Sequence, residues 1–214
     1  MARNRRPRAN ARRDPAKNQQ RILRAATDEF ARYGLGGARV DRIAARAGAN
    51  KRMLYYYYGN KDDLFLAVLE ASYASIRNAE RALHLADLDP QEAMRKLVAF
   101  TWNYYLAHPE FLTLLNSENL HRARHVKRSH NIVAMHSPFV AMLKQVLARG
   151  AGAGQFRKGV DPVQLYISIA GLGYFYLSNR YTLSAIFERK LLAPRHKAER
   201  LRHMTALVLG YLRK

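Results

Sequence analysis

The chain has no cysteine. That excludes a disulfide framework, a thiolate metal site and a cysteine nucleophile, and it fits a cytoplasmic protein. Acidic residues are scarce. Only 16 Asp and Glu stand against 37 Lys and Arg, a formal net charge of +21. Such a field favours a polyanionic partner, either nucleic acid or an anionic membrane surface. Long apolar runs are missing too. The most apolar stretch, 167–177, has 11 residues, short of the roughly 20 that a membrane-spanning helix needs. The Arg-rich start is not followed by an apolar segment, so it does not read as a secretory signal. No sustained alternation and no Asn-Gly pair marks a strand or hairpin. No nucleophile–base signature, Gly-rich phosphate loop or zinc motif occurs, so neither an enzyme nor a cofactor is expected.

What remains is helical and basic. Hydrophobic residues make up 49% of the chain, enough for a real core. The charge is uneven. Residues 1–61 carry 16 Lys and Arg against 4 Asp and Glu, a net +12, and the remaining residues carry a net +9. The N-terminal third is therefore the expected polyanion surface. Residues 1–13 hold six arginines and no apolar periodicity, which predicts a disordered basic arm. Such an arm either contacts phosphates or merely solubilises the chain.

Prolines punctuate the rest. Asp14-Pro15, Asp89-Pro90 and Asp161-Pro162 each place a capping carboxylate before a proline at the first helical position. Glu92 extends the Asp89 pattern to a capping box. Pro109, Pro138 and Pro194 can open helices in the same way. The spacing predicts an all-α protein with helices over 15–33, 40–47, 51–58, 61–84, 90–107, 109–120, 132–149, 162–181 and 194–212. Gly34 should stop the first, and Asn50 and Asn60 should cap the third and fourth. The glycines of 150–154 predict a flexible break.

Residues 55–58 are four consecutive tyrosines. They cannot all be buried on one helix, because each side chain turns about 100° from the last. Two short helices joined by a Gly turn and packed on a preceding helix form a helix-turn-helix. Ala44, Ala45, Ala47, Gly48 and Ala49 supply the smallness that close packing needs. Leu54 and Tyr58 share an inward face, and Lys51, Arg52 and Tyr55 an outward one. The Tyr55 hydroxyl can then donate to a phosphate oxygen, with Tyr57 and Lys61 near the helix end also placed for the backbone. An aromatic core helix whose hydroxyls reach water is the plainer alternative.

The stretch VDRIAARAGANKRMLYYYYGNKDDLF, residues 40–65, resembles the DNA-binding domain of the tetracycline-repressor (TetR) family of bacterial regulators. The resemblance rests on Ile43, Ala44, Ala47, Gly48, Leu54, Tyr55, Tyr57, Asn60, Lys61 and Leu64. ILRAATDEFARYGLGGARV, residues 22–40, is similar to the family's first helix and Gly turn. Ala38 and Arg39 depart from the usual Thr pair, which removes a cap from the second helix. Arg52 and Met53 replace the common Gly-Thr, and Tyr58 replaces Phe, so its hydroxyl requires a partner. The resemblance implies a three-helix DNA-binding unit over 14–60 and a helical effector-binding and dimerising unit over 61–214. It implies base-edge reading by Lys51 and Arg52 and phosphate contacts by Tyr55, Tyr57 and Lys61. Arg39 and Arg42 also reach the backbone in this reading, or else are solvated charge. If each protomer neutralises about five phosphates, affinity falls with a log–log salt slope of about −4 to −5 per protomer.

The implied partners are a palindromic double-stranded operator, a second copy of the chain and a small-molecule effector. Segments 163–177 and 201–212 are the interface candidates, with Gly171 and Gly173 permitting close approach; a buried monomer core is the alternative. Trp102, Tyr105, Asn116, Asn119 and Arg122 place polar groups among aromatics and are the effector-pocket candidates. Glu118, His121 and His125 could line one helix face as metal ligands, but Arg122, Arg124, Lys127 and Arg128 around them repel a cation, so no metal is expected. An architectural protein that binds nucleic acid through bulk charge is the alternative from another class.

Overall fold

The computed structural model describes residues 15–214, so the expected basic arm and the Asp14 cap lie outside the described residues. The described chain is helical throughout, with no strand. Four helices build the N-terminal end: α1 (Pro15–Gly37), α2 (Val40–Ala47), α3 (Lys51–Tyr58) and α4 (Lys61–Arg81). A 3-10 turn, Leu85–Asp87, leads to α5 (Pro90–Ala107), α6 (Pro109–Leu120), α7 (His130–Gly152), α8 (Pro162–Ser178), α9 (Arg180–Ile186) and α10 (Pro194–Leu212).

Side-chain caps open five of the helices: α3, α4, α5, α7 and α8. Asp89 accepts hydrogen bonds from the amides of Gln91 and Glu92, and Asp161 from those of Val163 and Gln164. Each satisfies donors that a first turn leaves open, behind a proline that has none to offer. Three boundaries, and the role of one proline, differ from the sequence reading. Helix α1 does not stop at Gly34; it kinks there (φ 64°, ψ 177°) and makes another turn that buries Leu35. Pro138 opens no helix and sits inside α7. The Ser129 hydroxyl, accepting from the Ile132 amide, has already started that helix two turns earlier. Helix α4 ends at Arg81 because His84 turns left-handed (φ 50°). Asn179 ends α8 and restarts the chain as α9; its amide and its side chain both donate to the Phe175 carbonyl. The glycine run 150–154 is also more ordered than expected. Gly150 is buried and packs against the Phe156 ring, and the break itself falls at Ala153 and Gly154.

Two apolar cores result. The first joins Ile22, Ala26 and Phe30 of α1 to Ile43, Leu54, Phe65, Val68 and Leu69. Leu114 of α6 and Ile132 of α7 also plug into it. The second holds Ile76 of α4 with Met94, Leu97, Trp102, Leu143, Ile169 and Met204. Helix α4 therefore serves both, and Tyr73 packs against each. Its N-terminal end is tied further to the 121–131 segment. Arg124 pairs with Asp62 (2.7 Å), Arg128 with Asp63 (2.6 Å), and Ser129 donates to Glu70 (2.5 Å).

Candidate nucleic-acid interface

Helix α2 lacks a side-chain cap of its own, as the missing Thr foretold. A carboxylate from α1 replaces it. Glu29 is 1% exposed, and its Oε1 accepts from the Arg39 amide (3.0 Å) and from Arg42 Nε (2.6 Å). Arg42 also donates to the Gly37 carbonyl (2.9 Å) and lies 4.3 Å over the Tyr33 ring. Its guanidinium is thus committed to holding α2 on α1. Arg39 contributes its amide to the same carboxylate and leaves its side chain exposed.

Gly48 closes α2 in the left-handed region (φ 58°), where a Cβ would strain the turn. Asn50 then starts α3, its side chain accepting from the Met53 amide (2.8 Å). Leu54 is 2% exposed and anchors the helix in the first core. Tyr58 is half-buried, and its hydroxyl finds the expected partner in the Gln19 carbonyl (3.1 Å). Burial, with Tyr57 alongside, pushes that hydroxyl's pKa up. Lys51 and Arg52 are exposed, Lys51 in an ion pair with Asp41 of α2. Tyr55 is 48% exposed and Tyr56 82%. Tyr57 packs partly on the core, edge-on to Tyr56 at 5.2 Å. Lys61 reaches back to the Gly36 carbonyl (3.4 Å).

The tyrosine row therefore splits. Tyr58 faces in, Tyr57 straddles, and Tyr55 and Tyr56 face out beside Arg52. Tyr56 was missed in the sequence reading. The signal for it was present: it stands four residues after Arg52, hence on the same helical face.

The five effector candidates do not converge. Trp102 is fully buried in the second core, edge-on to Tyr176 at 5.6 Å. Tyr105 is buried, stacked on Phe111 and pressed against Gly173, where a Cβ would approach its ring to 3.2 Å. Burial drives the Tyr105 hydroxyl far above its ordinary range. Asn116 donates to Ser178 (2.8 Å) and accepts from Tyr174. Asn119 and Arg122 face solvent, Asn119 bonding only its own helix. Nor do Glu118, His121 and His125 meet at one point. Glu118 accepts from the His125 and Val126 amides, and its Oε2 lies 2.6 Å from His125 Nδ1. His125 Nε2 faces Asp62 at 3.1 Å, and this contact, helped by Arg124, holds the Asp62 carboxyl below its usual range. His121 turns away to the Ser117 carbonyl.

Of the several hollows in the larger part, two bear on function. A groove of about 760 Å³ runs between α8 and α10, lined by Leu165, Gly171, Leu172, Phe175, Leu207 and Tyr211 among others. Gly171 thus faces outward, while Gly173 faces the core. A smaller cavity of about 270 Å³ lies between α4, the Leu85–Asp87 turn and α7, and Arg77 and Glu80 line it. No helix among the described residues is long and apolar enough to cross a membrane.

Residues 22–68 match the family described as bacterial regulatory proteins, tetR family. Residues 90–208 match the tetracyclin repressor-like C-terminal domain. The chain is 41% identical over 198 residues to the HTH-type transcriptional repressor NicS of Pseudomonas putida, covering 92% of this chain and 93% of that protein. It is 44% identical over 113 residues to the repressor SCO4008 of Streptomyces coelicolor, 51% of this chain and 54% of that one. Among solved structures, the transcriptional regulator SCO4942 of Streptomyces coelicolor superposes with a TM-score of 0.68 at 24% identity, over 91% of this chain and 98% of that one.

Proposed function

The chain belongs to the TetR family of bacterial transcription regulators, and from that premise we propose that it is a homodimeric repressor released from a palindromic operator by a small-molecule effector. One observation carries the DNA half of this reading. Helix α3 is anchored by Leu54 and turns Arg52, Tyr55 and Tyr56 outward together. A helix so presented fits the major groove. Arg52 addresses guanine O6 and N7, with Lys51 beside it once its pair with Asp41 opens. Tyr55, Tyr56, Lys61 and the Arg39 side chain take phosphates, and Tyr57 supports them from behind. Arg42 acts one step back, by fixing α2.

The dimer half is supported by exposed apolar side chains on two neighbouring helices. Phe175 of α8 and Leu207 and Tyr211 of α10 line the larger groove and are exposed, and Val163 and Ile167 of α8 are exposed as well. A second copy, meeting this face about a two-fold axis, buries them and sets two reading heads at a fixed spacing. An effector in the larger part then acts by favouring a different spacing, through α4, which enters both cores.

The test is competition. Fragments of the source genome retained by the protein are challenged with mixed-sequence DNA. One palindrome held about a thousandfold more tightly supports a repressor. Equal affinity for all duplexes overturns it in favour of an architectural, charge-driven binder.

A further inference from the structure

Arg77 is 2% exposed and Glu80, one turn on, also 2%. Arg77 Nη2 donates to Glu80 Oε1 (2.8 Å) and to the Tyr166 hydroxyl (2.6 Å). There the pairing stops. Arg77 Nε and Nη1 and Glu80 Oε2 are buried with no hydrogen-bond partner. A guanidinium carries five N–H donors, and only those on one nitrogen are used here. A charged group stripped of water and left part-paired is costly, and a native fold keeps such a group for a reason.

The reason lies beside it. Both residues line the cavity between α4, the Leu85–Asp87 turn and α7, whose other walls include Leu85, Met135, Phe139 and Met142. Phe139 and Tyr166 flank the guanidinium carbon at 4.6 and 5.1 Å. We propose that this cavity binds a small organic carboxylate, its anionic end received by Arg77 and its apolar body by the Met135, Phe139 and Met142 wall. The inference rests on the effector reading above and names the chemical class of the effector.

Charge selects the class. Burial pushes the Glu80 carboxyl up to about 7 against the opposing pull of Arg77, so near neutral pH the pair carries part of a positive charge. Arg81 and His84 stand at the cavity with a single further carboxylate, Asp87. A cation is repelled by this set. A neutral ligand leaves the unused guanidinium N–H groups without an anion, and a carboxylate satisfies them by charge-assisted bonds. A protonated Glu80 Oε2 then donates to the same ligand. The volume, about 270 Å³, lies below the usual range for drug-sized ligands and suits a molecule of about ten non-hydrogen atoms.

The probe is benzoate, with benzamide as its neutral match and benzamidine as its cation. Binding is read on the full-length protein without DNA, by calorimetry and by thermal shift. Benzoate is expected to raise Tm by several degrees at a large excess over its Kd, and benzamide and benzamidine are not. Arg77→Gln with Glu80→Gln removes the charges together, so neither is left unpaired. Met142→Trp fills the cavity and leaves the polar cluster intact. Each is expected to weaken benzoate at least tenfold. Equal binding of benzoate and benzamide overturns the proposal, as does benzoate binding that Met142→Trp leaves unchanged. So does the absence of any carboxylate effect across acetate, butyrate, benzoate and phenylacetate, which assigns the cavity to water. Operator affinity is measured separately. If benzoate binds as described and operator affinity does not move, the effector reading fails and the carboxylate site stands.

Discussion

Arg52 and Arg77 are the same side chain in opposite circumstances. Arg52 stands in water on the outer face of α3, next to Tyr56. Arg77 lies sealed between α4, α7 and α8 with two of its nitrogens unpaired. Water keeps the first inexpensive until a polyanion arrives, so its contribution is realised only on binding and is shared with counterions. The cost of the second is already built into the fold, and the proposed ligand would relieve it. On the proposed reading the outer arginine serves an interaction that salt weakens, and the inner one an interaction that salt hardly touches.

The largest expected effect separates the two directly. Raising salt from 50 to 200 mM should lower operator affinity by about 10⁵-fold, if two protomers each neutralise about five phosphates. Benzoate affinity should change by less than about threefold over the same range, because its partner is screened by protein rather than by ions. Parallel salt slopes for DNA and benzoate would erase the distinction.

The next effect concerns pH. The Glu80 carboxyl sits near 7 in the fold, against an ordinary value of 4.5. The folded state thus holds its proton more tightly than the unfolded one. Its contribution is complete below pH 4.5 and is lost as pH rises through about 7. That amounts to on the order of 3 kcal/mol between pH 4.5 and 8. Glu80→Gln should remove this slope, measured as the difference between variant and wild type in urea midpoints at several pH values. His136, whose pKa burial lowers, contributes a slope of opposite sign in both proteins and cancels in that difference. An unchanged slope in the variant would show that the cluster behaves like surface charge.

Smaller effects belong to the outer face. Arg52→Ala should cost about 1–3 kcal/mol per half-site and relax preference at one base pair, read by binding to operators varied at each position. Tyr56→Phe keeps the ring and removes only the hydroxyl. It should weaken all duplexes alike by about 1 kcal/mol, and a sequence-dependent loss would move Tyr56 from phosphate to base.

These contrasts also mark how far the sequence could be read. The helices were legible because Asp-Pro pairs and Asn caps state their beginnings within a few residues, and Asp89, Asp161, Asn50 and Asn60 all cap as expected. The span 132–149 already ran through Pro138, yet a proline looks the same at a helix start as inside one, and the Ser129 cap that decides the matter lies well upstream. Lys51, Arg52 and Tyr55 of the outward set on α3 were legible because they occupy one contiguous run with one helical period, and Tyr56 of the same run was passed over. The Arg77 cluster was not. An Arg followed by a Glu three residues later is an ordinary ion-pair spacing on an exposed helix face. Only the fold reveals that Phe139 and Tyr166, from α7 and α8, close over it. The aromatic and polar residues of α5 and α6 drew attention by composition, yet Trp102 and Tyr105 are packing and Asn116 is spent on Tyr174 and Ser178.

Leu114 and Ile132, which come from α6 and α7, complete the hydrophobic interior of the N-terminal helices. A chimaera that grafts only the first eighty or so residues onto a foreign body would leave two aliphatic-sized holes against α1 and α4. Engineers who wish to transplant this specificity must carry both plugs across, or redesign the recipient to supply them.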